Sequence, residues 1–470
     1  MEDRFDGESG RSVTDVWWCE HAWLGGTNVA ERVLISVAGG RIEDLRTDAE
    51  PVAGARRLSG LVLPGLANAH SHAFHRALRS RTQRDRGSFW TWRNLMYQAA
   101  DRLNPDRYRA LARAVYAEMA LAGITSVGEF HYLHHDVGGK HYSNPNAMGH
   151  AVIDGATDAG IRITLLDACY LSAAPDGTPL ADGPQRRFGD GTGERWAQRV
   201  AALSSQCAQR PDVLIGAALH SVRAVPLEDM PVVVEWAAGQ RVPLHVHSSE
   251  QPAEVEQSLA FYGCTPTGVL RDVGALGPQT TAIHATHLTA DDVTDLDQTA
   301  TGVCFCPTTE RDLGDGIGPA PALLAGRGLF SLGSDSHAVI DLFAEARAVE
   351  LDERLASGQR GIITADRLLR AATTDGQAAL GWADAGRLVV GSRADFVAVD
   401  VDSVRTAGAG ATVENVVFAA AASDVTDVVV DGRTIVADRR HLIVPNAASE
   451  LASAITDLMD VDAGSPTRSP

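Results

Sequence analysis

An α/β fold is predicted by this 470-residue sequence: a TIM-like (β/α)8 barrel with a small β-sandwich domain formed from both chain ends. Three observations predict it. Eight apolar, β-branched runs recur between residue 61 and about residue 380: LVLPGLANAH, ITSVGEFHY, IRITLLDACY, VLIGAALHSV, PLHVHSSE, TAIHATHL, GVCFCP and LFSLGSD. Each is followed by a polar loop and usually by a segment of helical period, and such alternation suits a parallel barrel. The segments on either side instead alternate short apolar runs with tight, Gly-rich turns, a small-β pattern. Finally, titratable residues gather at the ends of the runs, where a barrel of this kind carries its active site.

Taken in order, residues 1–13 are acidic and polar and predict disorder. Residues 14–60, with VWWC, VLISVA and RIEDL, predict the first part of the sandwich. Residues 61–382 predict the barrel, with DRYRALARAVYAEMALAG and PVVVEWAAGQR among its helices. Residues 383–446, with GRLVVGSRADFVAVDVD and VTDVVVDGRTIV, predict the second part of the sandwich. Residues 447–470 predict one helix and a Ser/Pro-rich tail. Two loops stand out. Residues 172–194 form a long Gly/Pro/Asp-rich insertion after the third run, and loops of that length are usually lids or disordered. Residues 79–96, RSRTQRDRGSFWTWRNLM, are dense in arginine and tryptophan.

Composition narrows the function. The net charge of −19 argues against a nucleic-acid partner, which would face a basic patch. It also requires local arginines to draw in any anionic substrate. The six cysteines are scattered without CxxC spacing and read as reduced core thiols. The first residues show no apolar signal segment, and no run of about 18 apolar residues occurs, so the expectation is a cytoplasmic protein without a membrane partner.

The run ends carry the chemistry. Run one ends in His70 and His72, run two in His131 and Tyr132, and run four in residues His220 to Arg223. Run five ends in His245, His247 and Glu250, run six carries His284 and His287, and run eight ends in Asp335. Residues i and i+2 of a strand face the same side, so His70 and His72 can grip one ion. Three imidazoles and one carboxylate suit a borderline divalent cation, zinc above all. Bidentate arginine suits a planar carboxylate, and Arg93 and Arg223 follow runs one and four. Trp90 and Trp92 read as packing residues, and His131, His134, His135 and His220 as supporting or surface residues. Arg186 and Arg187 read as solvated loop charges. No lysine ends run four, so a single metal is expected rather than a pair.

PG-x-x-N-x-HSH, HxHxxE on run five, the histidine of run six and GSD on run eight resemble the amidohydrolase superfamily, in its mononuclear deaminase branch. Within that branch, HSHAFHRA, SFWTWRNLMY, EFHYLHHD, HSVRA, HVHSSEQ, AIHATHL and GSDSH resemble the formimidoylglutamate deiminase family. The likeness runs from about residue 60 to 350, with GRLVVGSRADFVAVD as the usual C-terminal β segment. It implies an amidohydrolase-type barrel with one zinc ion per subunit, held by His70, His72, His247 and Asp335. It implies Glu250, His284 and Asp335 as catalytic residues, and Arg93, Tyr132 and Arg223 as substrate-binding residues for two carboxylates. His75 is also implied on the substrate side, where many members have glutamine. The implied reaction is attack of zinc-activated water on the formimino carbon of N-formimino-L-glutamate. The products are N-formyl-L-glutamate and ammonia, a step of histidine degradation carried out by a homodimer. The His-x-x-Glu spacing favours His247 over His245, and His287 lies past the expected strand end. Alternatives are a deaminase of a purine, pyrimidine or related amidine, and more remotely a zinc-binding scaffold without catalysis.

Overall fold

The computed structural model describes residues 15–83 and 89–459. The expectations for residues 1–13 and for the tail beyond 459 lie outside the described residues, as does the side chain of Trp90.

Eight parallel strands form the barrel in sequence order: β5 (Leu66–Ser71), β6 (Ile124–His131), β7 (Arg162–Cys169), β8 (Val213–Ser221), β9 (Leu244–Ser248), β10 (Thr280–His284), β11 (Gly302–Phe305) and β12 (Phe330–Leu332). They follow β1 (Asp15–Trp23), β2 (Val29–Ala38), β3 (Arg41–Arg46) and β4 (Arg56–Pro64), and precede β13 (Phe396–Val399), β14 (Val425–Val430), β15 (Arg433–Ala437) and β16 (Arg440–His441). The first and last barrel strands meet where the Ser334 and Asp335 amides donate to the His70 carbonyl, and the His72 amide donates to that of Asp335. That seam carries three of the candidate ligands. Helices cover the barrel as the periodicity predicts. Pro105–Leu121, for example, starts on Asn104, whose side chain accepts from the Arg107 amide, with proline in its first turn.

The flanking strands form one mixed sheet of both chain ends, ordered β16-β15-β14-β13-β4-β1-β2-β3. Its edge returns on itself, because the Ile42 amide donates to Ser392 and Arg41 bridges Arg393. The sheet thereby wraps an apolar filling that includes Trp17, Val33, Ile35, Leu58 and Phe396. Strand alternation divides β4 between two cores: Val62 faces this filling, whereas Leu61 and Leu63 face the barrel's core.

The first apolar run divides in two. Residues 61–64 pair with β1 and β13 in the mixed sheet, and only Leu66–Ser71 enters the barrel. The change of sheet falls at Gly65, not before Leu61. A side chain at Gly65 would collide with Thr125, 2.4 Å from a Cβ there, so only glycine lets the chain pass.

Arg162, at the start of β7, clamps the two parts together. It is fully buried and donates to Asp395, to Asp431 at 3.2 Å and to Ser126 at 3.0 Å. Despite burial, the Asp395 carboxylate holds the guanidinium well above its usual pKa. Arg162→Ala is expected to destabilise the protein by about 3–5 kcal/mol, because Asp395 would keep a buried charge without its partner. A lowered urea midpoint and melting temperature would register this; an unchanged midpoint would remove the clamp from the stability account.

The 172–194 insertion is structured, with a short 3-10 turn at Pro184–Arg187. Arg187 is a correction to the expected solvated loop charge. It is fully buried and donates to the carbonyls of His135 and Leu103, each at 2.8 Å, and to that of Ala100. Three buried carbonyls, two at the end of the helix Phe89–Arg102 and one at His135, converge on this one cation, which pins the insertion to its neighbours. Arg186 is at the surface with Asp182. Among the described residues, no helix is long and apolar enough to cross a membrane.

Candidate functional site

The strand ends converge as their spacing predicts. His70 Nε2 lies 3.1 Å from His247 Nε2 and 3.3 Å from Asp335 Oδ1, and His72 Nε2 lies 3.4 Å from the same oxygen. The outer nitrogens set the tautomers. His72 Nδ1 donates to the Phe130 carbonyl at 2.9 Å, and His247 Nδ1 to the His220 carbonyl at 2.8 Å. A carbonyl can only accept, so in the neutral rings both Nε2 atoms present lone pairs inward. Such convergence of lone pairs and a carboxylate is repulsive without a cation and suited to one. Ligands on a tetrahedral zinc at ~2.0–2.2 Å stand about 3.3–3.6 Å apart, and the Asp335 separations from His70 and His72 match. Burial lowers the pKa of His70, His72 and His247, favouring the neutral form that metal binding requires. Burial alone would raise Asp335, but the hydrogen bond from His70, with His284 beside it, holds its carboxyl well below the usual range.

His284 closes the other side. Its Nε2 lies 3.8 Å from Asp335 Oδ2 and 3.7 Å from Glu250 Oε1, and its Nδ1 lies 3.3 Å from Glu310 Oε1. Burial disfavours the imidazolium, yet Glu250, Glu310 and Asp335 raise its pKa well above the usual value. Burial pushes the Glu250 carboxyl up, which favours its protonated form. This pair can hold and pass a proton. The backbone is constrained at the same places: His284 has φ +68° and Asp335 φ +41°, left-handed values that non-glycine residues rarely adopt and that cluster at functional sites.

A cavity of about 620 Å³ opens from this cluster. His75, Arg93, Tyr132 and Arg223 all line it with Glu250 and His284, so every candidate substrate residue shares one space with the candidate catalytic pair. His75 is buried, its Nε2 lies 2.8 Å from Tyr132 Oη, and its ring meets that of Trp92 at 5.0 Å. Burial lowers its pKa to about 3, so it enters as a neutral hydrogen-bonding group. Arg93 lies on the helix Phe89–Arg102 with its guanidinium 5.5 Å from the Tyr97 ring centre. Arg223 is charged beside Tyr170, which offsets the cost of its burial.

The alternatives left open by spacing separate in space. His245 Nε2 donates to the Ala379 carbonyl at 3.1 Å, away from the cluster, and His287 Nε2 to that of Asp315 at 2.7 Å. His131, His134 and His135 are buried beside the Asp167–Arg199–Asp190 ion-pair network rather than at the surface. Sequence reasoning underrated His220, whose carbonyl fixes the His247 tautomer and whose ring lines the cavity. It also missed Tyr170, Glu310 and Cys306. Cys306 ends run seven and stands at the start of the helix Pro307–Leu313, and Glu310 lies in that helix's first turn.

The amidohydrolase family pattern matches residues 61–435. The chain belongs to the amidohydrolase family. This amidohydrolase is 36% identical over 436 residues to the formimidoylglutamate deiminase of Pseudomonas aeruginosa, a match covering 90% of this chain and 95% of the relative. It is 28% identical to a 5-methylthioadenosine/S-adenosylhomocysteine deaminase of Halobacterium salinarum, over 83% of this chain and 84% of that one. The solved structure of an amidohydrolase from Brucella melitensis superposes with a TM-score of 0.87 at 32% identity, covering 94% of this chain and 99% of that chain. The amidohydrolase is thus a hydrolase of carbon–nitrogen bonds related to deaminases.

Proposed function

We propose that this amidohydrolase hydrolyses N-formimino-L-glutamate to N-formyl-L-glutamate and ammonia. The observation that carries the reading is one cavity with two guanidinium groups, Arg93 and Arg223, beside a His/Asp metal cluster and the Glu250–His284 pair. A substrate with two carboxylates and one amidine needs that set of groups. The 36% identity to a formimidoylglutamate deiminase supports it.

His70, His72, His247 and Asp335 would hold one zinc ion per subunit. When bound, zinc supplies Lewis acidity, lowering the pKa of water toward ~7 and polarising the formimino carbon. Arg93 and Arg223 bind the two carboxylates, with Tyr132 and His75 as neutral partners, and present the amidine to the cluster. Asp335 takes the proton of the attacking water. His284 Nε2–H hydrogen-bonds the oxygen that adds to carbon. The proton taken by Asp335 passes to the imino nitrogen as the oxygen adds. Glu250, which recovers its proton from the added hydroxyl as the formyl C=O forms, delivers the second, because an amide anion does not leave from a tetrahedral carbon unprotonated. With this reading go a homodimer, a cytoplasmic location and a place in histidine breakdown.

Ammonia release from N-formimino-L-glutamate by the zinc-loaded protein tests the reading, with a parallel sample stripped by chelator. Release that stops on stripping and returns with zinc is the expected result. Absence of release at full zinc occupancy, with ammonia released from 5′-methylthioadenosine instead, would turn the assignment to a purine deaminase.

A further inference from the structure

Cys306 follows β11 with no exposure to solvent and has no part in the chemistry above. It stands with His284 and Asp335 in a group whose ligand atoms all lie within 4.8 Å of one another. The two oxygens of Asp335 face different partners. Oδ1 faces His70 and His72 at 3.3 and 3.4 Å, whereas Oδ2 faces His284 Nε2 at 3.8 Å. Glu250 Oε1 lies 3.7 Å from that same nitrogen. One carboxylate therefore borders two donor clusters, the second with separations a few tenths of an ångström wider.

We propose that His284, Cys306 and Asp335 form a second and inhibitory site for a thiophilic divalent cation such as zinc or cadmium. Asp335 would bridge it to the first ion, as carboxylates do between ions about 3.5–4 Å apart. Imidazole, thiolate and carboxylate make a borderline-soft set that selects zinc or cadmium over magnesium, which demands octahedral oxygen ligands. On binding, the cation displaces the Cys306 thiol proton to solvent. It also occupies His284 Nε2, the atom that faces Glu250, so the Glu250–His284 pair can no longer move a proton during turnover. The wider donor spacing makes this the weaker of the two sites. Excess metal then inhibits an enzyme that needs one equivalent. The inhibition rests on the proposed function, whereas occupancy of the site does not.

Titration of the one-zinc protein with cadmium tests it. The expected result is a further equivalent bound with an ultraviolet thiolate-to-cadmium charge-transfer band, and loss of ammonia release that half-saturates at the same concentration. In Cys306→Ser the band is expected to vanish and the inhibitory concentration to rise at least tenfold, with the first zinc retained. Cys264→Ser, which removes the half-buried thiol, is expected to keep the band. Binding of that equivalent by the wild-type protein without the band overturns the site even if the Cys306 variant does not fold, as does an unchanged band in Cys306→Ser. A band without any hydrolysis of the formimino substrate overturns the functional reading and leaves the site standing.

Discussion

Glu250→Gln is expected to lower kcat on N-formimino-L-glutamate by about 10²–10⁴-fold, the usual contribution of a positioned general acid, while zinc stays at one equivalent. The Glu250 carboxyl lies 3.7 Å from His284 Nε2, and burial raises its pKa, so it is placed and biased to carry a proton. Glutamine preserves its volume and can still hydrogen-bond, but it cannot give a proton to the leaving nitrogen. Binding of the substrate through Arg93 and Arg223 would be untouched, so KM should move far less than kcat. Steady-state kinetics with metal analysis on the same preparation separates these outcomes. Loss of zinc equal to the loss of turnover would make Glu250 a ligand and overturn its role as acid.

His247→Ala is expected to have the opposite pattern, losing the ion and with it all measurable turnover. Its Nε2 lies 3.1 Å from that of His70, and its Nδ1 is locked by the His220 carbonyl. Alanine leaves three donors and one unfilled corner. Even partners that only orient a ligand are worth about 10–100-fold in metal affinity, and removal of a ligand itself costs more. A ligand that binds only the folded state raises its stability by mass action. Added zinc should therefore raise the melting temperature of the stripped wild-type protein and leave that of His247→Ala unmoved. An equal zinc-dependent shift in both would place the ion elsewhere.

The strands were legible because each is a short apolar run bounded by polar loops, and that signal is local. The exception is LVLPGLANAH, read as one strand although it serves two sheets on either side of Gly65. Both halves are buried, so periodicity is silent there, and only pairing with β1 and β13 on one side and β6 on the other divides them. The HxH pair was legible because two residues on one strand face share a direction. Arg187 was misread because a charged residue in a Gly/Pro-rich loop usually meets water, and three carbonyls from distant segments supply what water would have.

By itself, the sequence determined the strand–helix rhythm, the order of the strands and which residue types end each one. These follow from spacing along a single element. Tertiary structure decided how those residues act. The lone pairs of His72 and His247 point inward because carbonyls of Phe130 and His220, on neighbouring strands, accept the protons of their outer nitrogens. His75 Nε2 meets the Tyr132 hydroxyl between neighbouring strand ends, and the two oxygens of Asp335 face different donor clusters. Each of these depends on atoms far apart in the chain, and a hydrogen bond or a coordination sphere is set by distance in space, which no spacing in the sequence encodes.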